Sequence, residues 1–133
     1  MRLHHIGMAT SNIDEQARRM QELLGFKLQS PPVVDPLQQV RVAFVGTNTD
    51  VSIELIEPLD EASPVARFLA KEGVLHHLCY AVPDLDKAID HLYQAGSLLV
   101  SEPKPAVALH GQRVAFLYTR DRQLVELFEE VTL

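Results

Sequence analysis

Short apolar runs and amphipathic stretches follow one another along the chain in an order that occurs twice. Residues 5–9 and 77–82 are apolar runs of strand length. Each is followed by a stretch whose apolar residues recur at helical spacing, behind the N-cap residue Asn12 in one case and Asp84 in the other. The apolar positions of these two predicted helices are Ile13, Ala17, Met20 and Leu24, and Leu85, Ile89 and Leu92. The pattern predicts a strand and then a helix in each half.

Three further strand candidates follow each predicted helix. They are residues 26–29, 40–45 and 51–57 in the first half, and 98–101, 113–118 and 123–129 in the second. Pro31, Pro32 and Pro36 interrupt one loop between these strands, and Pro103 and Pro105 interrupt the corresponding loop. Between the halves, Ser63 and Pro64 begin a short helix that ends at Gly73. Each half therefore reads as a βαβββ module, with a helical connector between them.

The sequence itself repeats in the same register as the predicted elements. At an offset of 72 residues, LHH at 3–5 recurs at 75–77, RVAF at 41–44 recurs at 113–116, and EL at 54–55 recurs at 126–127. Three separate blocks in one register indicate a duplication. We predict a single α+β domain, residues 1–133, with two tandem βαβββ modules related by pseudo-twofold symmetry that form a curved mixed sheet around a metal cleft. Module 1 spans about 1–60, the connector about 61–73 and module 2 about 74–133.

Two histidines and two glutamates recur at this offset and carry candidate metal chemistry. Glu54 lies at the centre of a strand whose alternate residues are apolar, and Glu126 repeats the arrangement. A carboxylate there is costly to bury unless it is paired or coordinates a metal. Together with His5 and His77 the set suits Zn, Ni, Co, Mn or Fe(II). The alternative is two plain charge pairs, His5 with Glu126 and His77 with Glu54.

Weaker candidates lie on neighbouring strands and loops. Arg41 and Arg113 precede apolar strand residues and could bind an anionic substrate or simply be solvated at a sheet edge. His110 lies in a loop that leads into a strand, where a substrate contact and a turn role are equally open. Cys79 lies in an apolar run and is predicted to be a buried small hydrophobic residue.

Charge and composition narrow the classes of partner and location. The net charge is −6, which argues against a general nucleic-acid or membrane-surface binder, because both need a basic face. A single cysteine cannot form an internal disulfide, which fits a reducing compartment. No stretch has the roughly 20 apolar residues of a membrane span, and we see no signal peptide. We expect a cytoplasmic protein.

Several segments resemble the vicinal oxygen chelate superfamily, which includes glyoxalase I, extradiol dioxygenases and bleomycin-binding proteins. They are HHIGMATSNID, IELIEPLDEASPVARFLAKEG, LHHLCYAV, HGQRVAFLY and LVELFE, and the resemblance extends over essentially the whole chain. The connector followed by LHHLCYAV is most similar to the methylmalonyl-CoA epimerase family. By this resemblance His5, Glu54, His77 and Glu126 fall on the metal-ligand positions.

The resemblance implies removal and return of an α-proton next to an acyl thioester, with a divalent metal stabilising the enolate. Glu126 and Glu54 are then the catalytic candidates, while Arg41 occupies the position where some members carry a glutamate base. The 118–123 segment departs from the epimerase pattern. A glyoxalase I-like lactoylglutathione lyase and a resistance-type small-molecule binding protein are the alternative functions. The partners implied are a small molecule such as an acyl-CoA thioester and, as in the family, a second copy in a homodimer.

Overall fold

The computed structural model of the protein describes residues 1–130, so the last three residues of predicted module 2 lie outside the described residues. The described part contains three α-helices and nine strands, which confirms the α+β class. The helices are α1 (Ile13–Leu24), α2 (Pro64–Ala70) and α3 (Leu85–Gln94). The strands are β1 (Arg2–Ala9), β2 (Lys27–Leu28), β3 (Val33–Asp35), β4 (Val40–Gly46), β5 (Ser52–Pro58), β6 (Leu75–Val82), β7 (Leu98–Pro105), β8 (Arg113–Tyr118) and β9 (Leu124–Glu129).

The chain forms two compact units. The first unit contains residues 5–76, and the second contains residues 1–4 and the described chain from 77 onward. In the first unit the strand order is β2-β4-β5-β1, with β3 also paired to β4. In the second unit the order is β6-β9-β8-β7. The first unit contains one parallel strand pair, β1 with β5, and the second contains one, β6 with β9. The other strand pairs within each unit are antiparallel.

The predicted starts of α1 and α3 are confirmed by their N-caps. Asn12 Oδ1 accepts a hydrogen bond from the Glu15 backbone N–H at 3.0 Å, and Asp84 Oδ1 accepts one from Lys87 at 3.0 Å. These bonds satisfy backbone donors that the first helical turn leaves without an internal partner. At the end of α1, Gly25 adopts φ 72°, a left-handed conformation that costs glycine little.

One face of each unit's sheet packs against its helix. In the first unit the buried cluster is Ile13, Met20, Ala43, Val45 and Leu55. In the second unit it is Val82, Leu85, Ala88, Ala115, Leu117, Val125 and Leu127. Leu55 and Leu127 are repeat equivalents with no solvent exposure. Because side chains alternate along a strand, the residue before each leucine points to the opposite face.

Two features of the strands were not predicted. Strand β3 lies within the proline-rich segment that we expected to be a loop. Strand β7 continues through Pro103 to Pro105, so these prolines do not mark a loop as predicted. Proline cannot donate to a ladder, but β7 is the last strand in its unit's order and pairs with β8 through register shifts. An edge strand with bulges tolerates the missing donors.

The helix-facing core should be sensitive to truncation. We expect Leu127→Ala to lower the free energy of unfolding by about 3 kcal/mol, because it removes a fully buried side chain and leaves a cavity. Urea unfolding followed by circular dichroism measures the change. Leu98→Ala is the control, because Leu98 is exposed and should change stability by less than about 1 kcal/mol. Equal losses in the two variants would contradict the assignment of this core.

Candidate metal and catalytic site

In the first unit, His5 and Glu54 lie on the sheet face opposite the helix. Glu54 of β5 pairs in register with Gly7 of β1 and with Phe44 of β4. His5 precedes Gly7 by two residues, so its side chain points to the same face as Glu54. The His5 Nε2 atom lies 3.5 Å from Glu54 Oε1. The structure therefore brings together these two predicted residues.

The second unit repeats this arrangement. Glu126 of β9 pairs in register with Cys79 of β6 and with Phe116 of β8. His77 precedes Cys79 by two residues, and its Nε2 atom lies 3.2 Å from Glu126 Oε1. In each unit the histidine thus contacts the glutamate of its own module. The predicted burial of Cys79 is also confirmed, since its exposure is 0%.

The residue types and burial of the two pairs suit metal binding. His5, Glu54, His77 and Glu126 are all buried, and each offers an imidazole nitrogen or a carboxylate oxygen. Buried carboxylates require strong partners, because burial of an unpaired charge is costly. Imidazole and carboxylate together are ligands of divalent transition metals. Each unit thus provides one nitrogen and one oxygen ligand of the kind that such an ion binds.

Two phenylalanines that we had not singled out hold the histidine rings. The His5 and Phe44 ring centroids are 5.2 Å apart at an interplanar angle of 73°, and those of His77 and Phe116 are 5.4 Å apart at 85°. Edge-to-face packing fixes the orientation of an imidazole. Both phenylalanines belong to the repeated RVAF block, which was the available signal. Phe44 is the register partner of Glu54, and Phe116 is that of Glu126, which depends on how the strands pair.

The two arginines lie on the other face of the sheet. Arg41 pairs in register with Glu57, and its Nη1 atom donates to Glu57 Oε2 at 3.0 Å. Arg41 is an odd number of residues from Phe44 and therefore points away from the face that carries Glu54. Arg113 likewise donates to Asp86 and to Glu129, each at 3.2 Å. This placement gives the arginines a structural role beside the helix starts and does not support their prediction as substrate ligands.

The ion pair of Glu129 fastens the start of α3 to the sheet. Its Oε2 atom accepts a hydrogen bond from the Leu85 backbone N–H at 2.9 Å. That bond, followed by the Arg113 guanidinium, lowers the pKa of Glu129 below its usual value of 4.5. The hydrogen bonds that Arg113 makes to Glu129 and Asp86 raise the pKa of its guanidinium. Glu129 therefore stabilises the fold in its charged form.

The stability that Glu129 contributes should depend on pH. Because its pKa is lower in the folded state, the contribution is present above pH 4.5 and is lost as the pH falls through the folded-state pKa. We expect Glu129→Gln to lower the free energy of unfolding at neutral pH, and this difference from wild type to shrink between about pH 5 and about pH 3. Urea unfolding at each pH measures it. Glu102 is exposed, so Glu102→Gln is the control variant. If the loss of unfolding free energy in Glu129→Gln did not change with pH, it would contradict the assignment of Glu129 as a charged, stabilising residue.

His110 lies in the turn between β7 and β8. It ends a short 3-10 helix (Val107–Leu109) with φ 57° and is exposed. The Gly111 backbone N–H donates to the Ala106 carbonyl at 2.9 Å and closes the turn. These contacts account for the turn role of His110, while its substrate contact stays a prediction.

Among the described residues, no helix combines the length and apolar character that crossing a membrane requires.

Comparisons with known proteins agree with this geometry. Residues 4–116 match the profile of the Glyoxalase/Bleomycin resistance protein/Dioxygenase superfamily. An ethylmalonyl-CoA/methylmalonyl-CoA epimerase from Cereibacter sphaeroides is 37% identical over 130 residues, which cover 95% of this chain and 96% of the relative.

Solved epimerase structures share the fold. One from Mycobacterium tuberculosis matches with a TM-score of 0.85 and 30% identity, covering 98% of this chain and 88% of that one. A Streptomyces coelicolor methylmalonyl-CoA epimerase variant in complex with 2-nitronate-propionyl-CoA matches with a TM-score of 0.87 and 28% identity, covering 100% and 96%. The chain therefore belongs to the glyoxalase/bleomycin resistance protein/dioxygenase superfamily, and within it to the group of enzymes related to the methylmalonyl-CoA epimerases.

Proposed function

We propose that this protein is a metal-dependent isomerase that epimerises methylmalonyl-CoA or a similar 2-carboxyacyl-CoA. The observation that carries the proposal is the buried histidine–glutamate pair, which occurs once in each unit at the same register position. The similarity to epimerases over nearly the full length of both chains supports it. An acyl-CoA thioester is then the small-molecule partner.

We assign His5, Glu54, His77 and Glu126 to one divalent metal ion, with Co, Ni, Zn, Mn and Fe as candidates. Their burial, their residue types and their shared repeat support this set. When bound, such an ion would supply positive charge to substrate oxygens and stabilise the negative charge that develops as the α-proton leaves. Phe44 packs edge-to-face against the His5 ring, and Phe116 packs in the same way against the His77 ring. These contacts fix the orientation of both imidazoles, as a preorganised ligand requires.

Glu126 is our proposed proton-transfer group. Its side chain is only 4% exposed, so bulk water does not compete for the proton that it moves. Glu54, with a 10% exposed side chain, is the corresponding carboxylate of the first unit and the candidate for the second transfer. Arg41 cannot act as a base, and it lies on the opposite face. Epimerisation requires removal of a proton on one side of the α-carbon and delivery on the other.

The activity can be tested directly with single enantiomers of methylmalonyl-CoA. The purified protein is freed of metal, reloaded separately with cobalt, nickel and zinc, and assayed for conversion of one enantiomer into the other. Conversion by at least one metal form is expected. Absence of conversion by every form, with turnover of a glutathione hemithioacetal instead, would favour the lyase alternative. Tight ligand binding without turnover of either substrate would favour a binding protein. A homodimer and a cytoplasmic location stay predictions from the sequence.

A further inference from the structure

The first unit carries a polar pair beside His5 and Glu54 that the metal site does not use. Ser52 is the register partner of His5 and precedes Glu54 by two residues on β5, so all three side chains share a face. The Ser52 hydroxyl donates to Gln29 Oε1 at 3.2 Å. The Gln29 backbone N–H donates to the Phe44 carbonyl at 2.8 Å, which anchors it to β4. The pair therefore extends the polar row from His5 across the sheet.

Gly46 makes room for the side chain of Gln29. It follows Phe44 by two residues on β4 and so shares the face that carries Glu54. A Cβ atom at this position would lie 3.1 Å from Gln29 Nε2, which is tighter than ordinary contact. The carboxamide thus lies across β4, and its bond from Ser52 uses Oε1. This leaves the Nε2 amino group as the hydrogen-bond donor end of the pair.

The second unit does not repeat this feature. At the offset of 72 residues, the positions of Gln29, Gly46 and Ser52 are occupied by Ser101, Tyr118 and Leu124. Tyr118 and Leu124 are register partners, so a bulky, mainly apolar pair replaces the glycine and the serine. The candidate metal ligands are the same in both units, but their neighbours differ. A substrate with two different ends can be oriented only by residues that break the repeat.

We propose that Gln29 and Ser52 form a specificity-determining subsite that binds the carboxylate of a 2-carboxyacyl-CoA. A carboxylate only accepts hydrogen bonds, and the Gln29 Nε2 amino group, which the bond from Ser52 to Gln29 Oε1 orients, is a donor. Bonds to an ionised acceptor are stronger than neutral ones and therefore discriminate well. This inference rests on the proposed function, because it assigns the substrate class of the same site.

The test compares two ligands that differ only in the carboxylate. Binding of methylmalonyl-CoA and of propionyl-CoA to the metal-loaded protein is measured by calorimetry for wild type, Gln29→Leu, Ser52→Ala and Gly46→Ala. Wild type should prefer methylmalonyl-CoA, and each variant should weaken its binding about tenfold while leaving propionyl-CoA unchanged. Ser101 occupies the position of Gln29 in the second module, so Ser101→Ala is the control. It should keep the wild-type preference for methylmalonyl-CoA. Metal content and circular dichroism confirm that each variant is folded and loaded.

The outcomes separate this inference from the proposed function. If wild type turns methylmalonyl-CoA over and the variants keep its full preference, the subsite is refuted while the function stands. Equal loss of both ligands also refutes it, since the pair would then contact the shared CoA thioester. If wild type binds methylmalonyl-CoA without epimerising it, the function fails, but the variants still decide the subsite. Equal binding of both ligands to wild type overturns the subsite outright.

Discussion

Replacement of Glu126 by glutamine should reduce epimerisation of methylmalonyl-CoA about a thousandfold, because an amide of nearly the same shape cannot accept or return a proton. The carboxamide oxygen can still act as a ligand, so metal content should fall much less than activity. The contact with His77 at 3.2 Å and the burial of the side chain should also persist in the variant. Conversion of a single enantiomer, measured per bound metal, gives the effect.

Glu129→Gln is the matched control for this experiment. Glu129 lies three residues further along β9, pairs with Arg113 and points to the helix face. Its replacement removes the same charge from the same strand but should leave epimerisation at saturating metal within about twofold of wild type. Exchange of the α-proton with deuterated solvent adds a second measurement. Wild-type activity in Glu126→Gln would show that another group carries out the proton transfer.

Replacement of His77 by alanine should abolish stable metal binding. It removes a buried imidazole that is held edge-on by Phe116 and contacts Glu126. Because altering even the groups that support a metal ligand commonly costs 10–100-fold in affinity, loss of the ligand itself should cost more than about 100-fold. Epimerisation should be lost with the metal. Elemental analysis and competition with a chelator measure the affinity.

His91→Ala separates loss of a ligand from loss of any histidine. His91 lies in α3 and is exposed, so its replacement should change neither metal content nor activity. Thermal unfolding of both variants without metal shows whether the His77 change disturbs the fold. Wild-type metal stoichiometry and affinity in a folded His77→Ala protein would refute the ligand assignment.

Local sequence patterns were sufficient to predict those features that depend on the alternation of side chains along a strand or on the capping of a helix. Strand periodicity alone was enough to place Glu54 on the sheet face opposite to that of Leu55, and Asn12 marks the start of α1 as predicted. Strand β8 has the predicted bounds, 113–118. Each of these features depends on residues within a few positions of one another along the chain. Such short-range rules can be read without knowing which strands are neighbours.

The placement of Arg41 and of the Gln29–Ser52 pair required the tertiary structure. Whether Arg41 shares a face with Glu54 depends on the β4–β5 register, which no local pattern reveals. Gln29 reaches Ser52 only because Gly46 lies between them in space. The extension of β7 through its prolines was likewise decided by its edge position, where missing donors cost little.

The sequence by itself determined the duplication, the order of the main strands and helices in each module, and the four buried residues that recur at one offset, because these follow from periodicity and internal comparison. Only the tertiary structure decided which faces the arginines occupy, which aromatic rings orient the histidines and which polar pair distinguishes the two units. Those properties depend on the register between separate strands, and a shift of one residue would move each side chain to the opposite face.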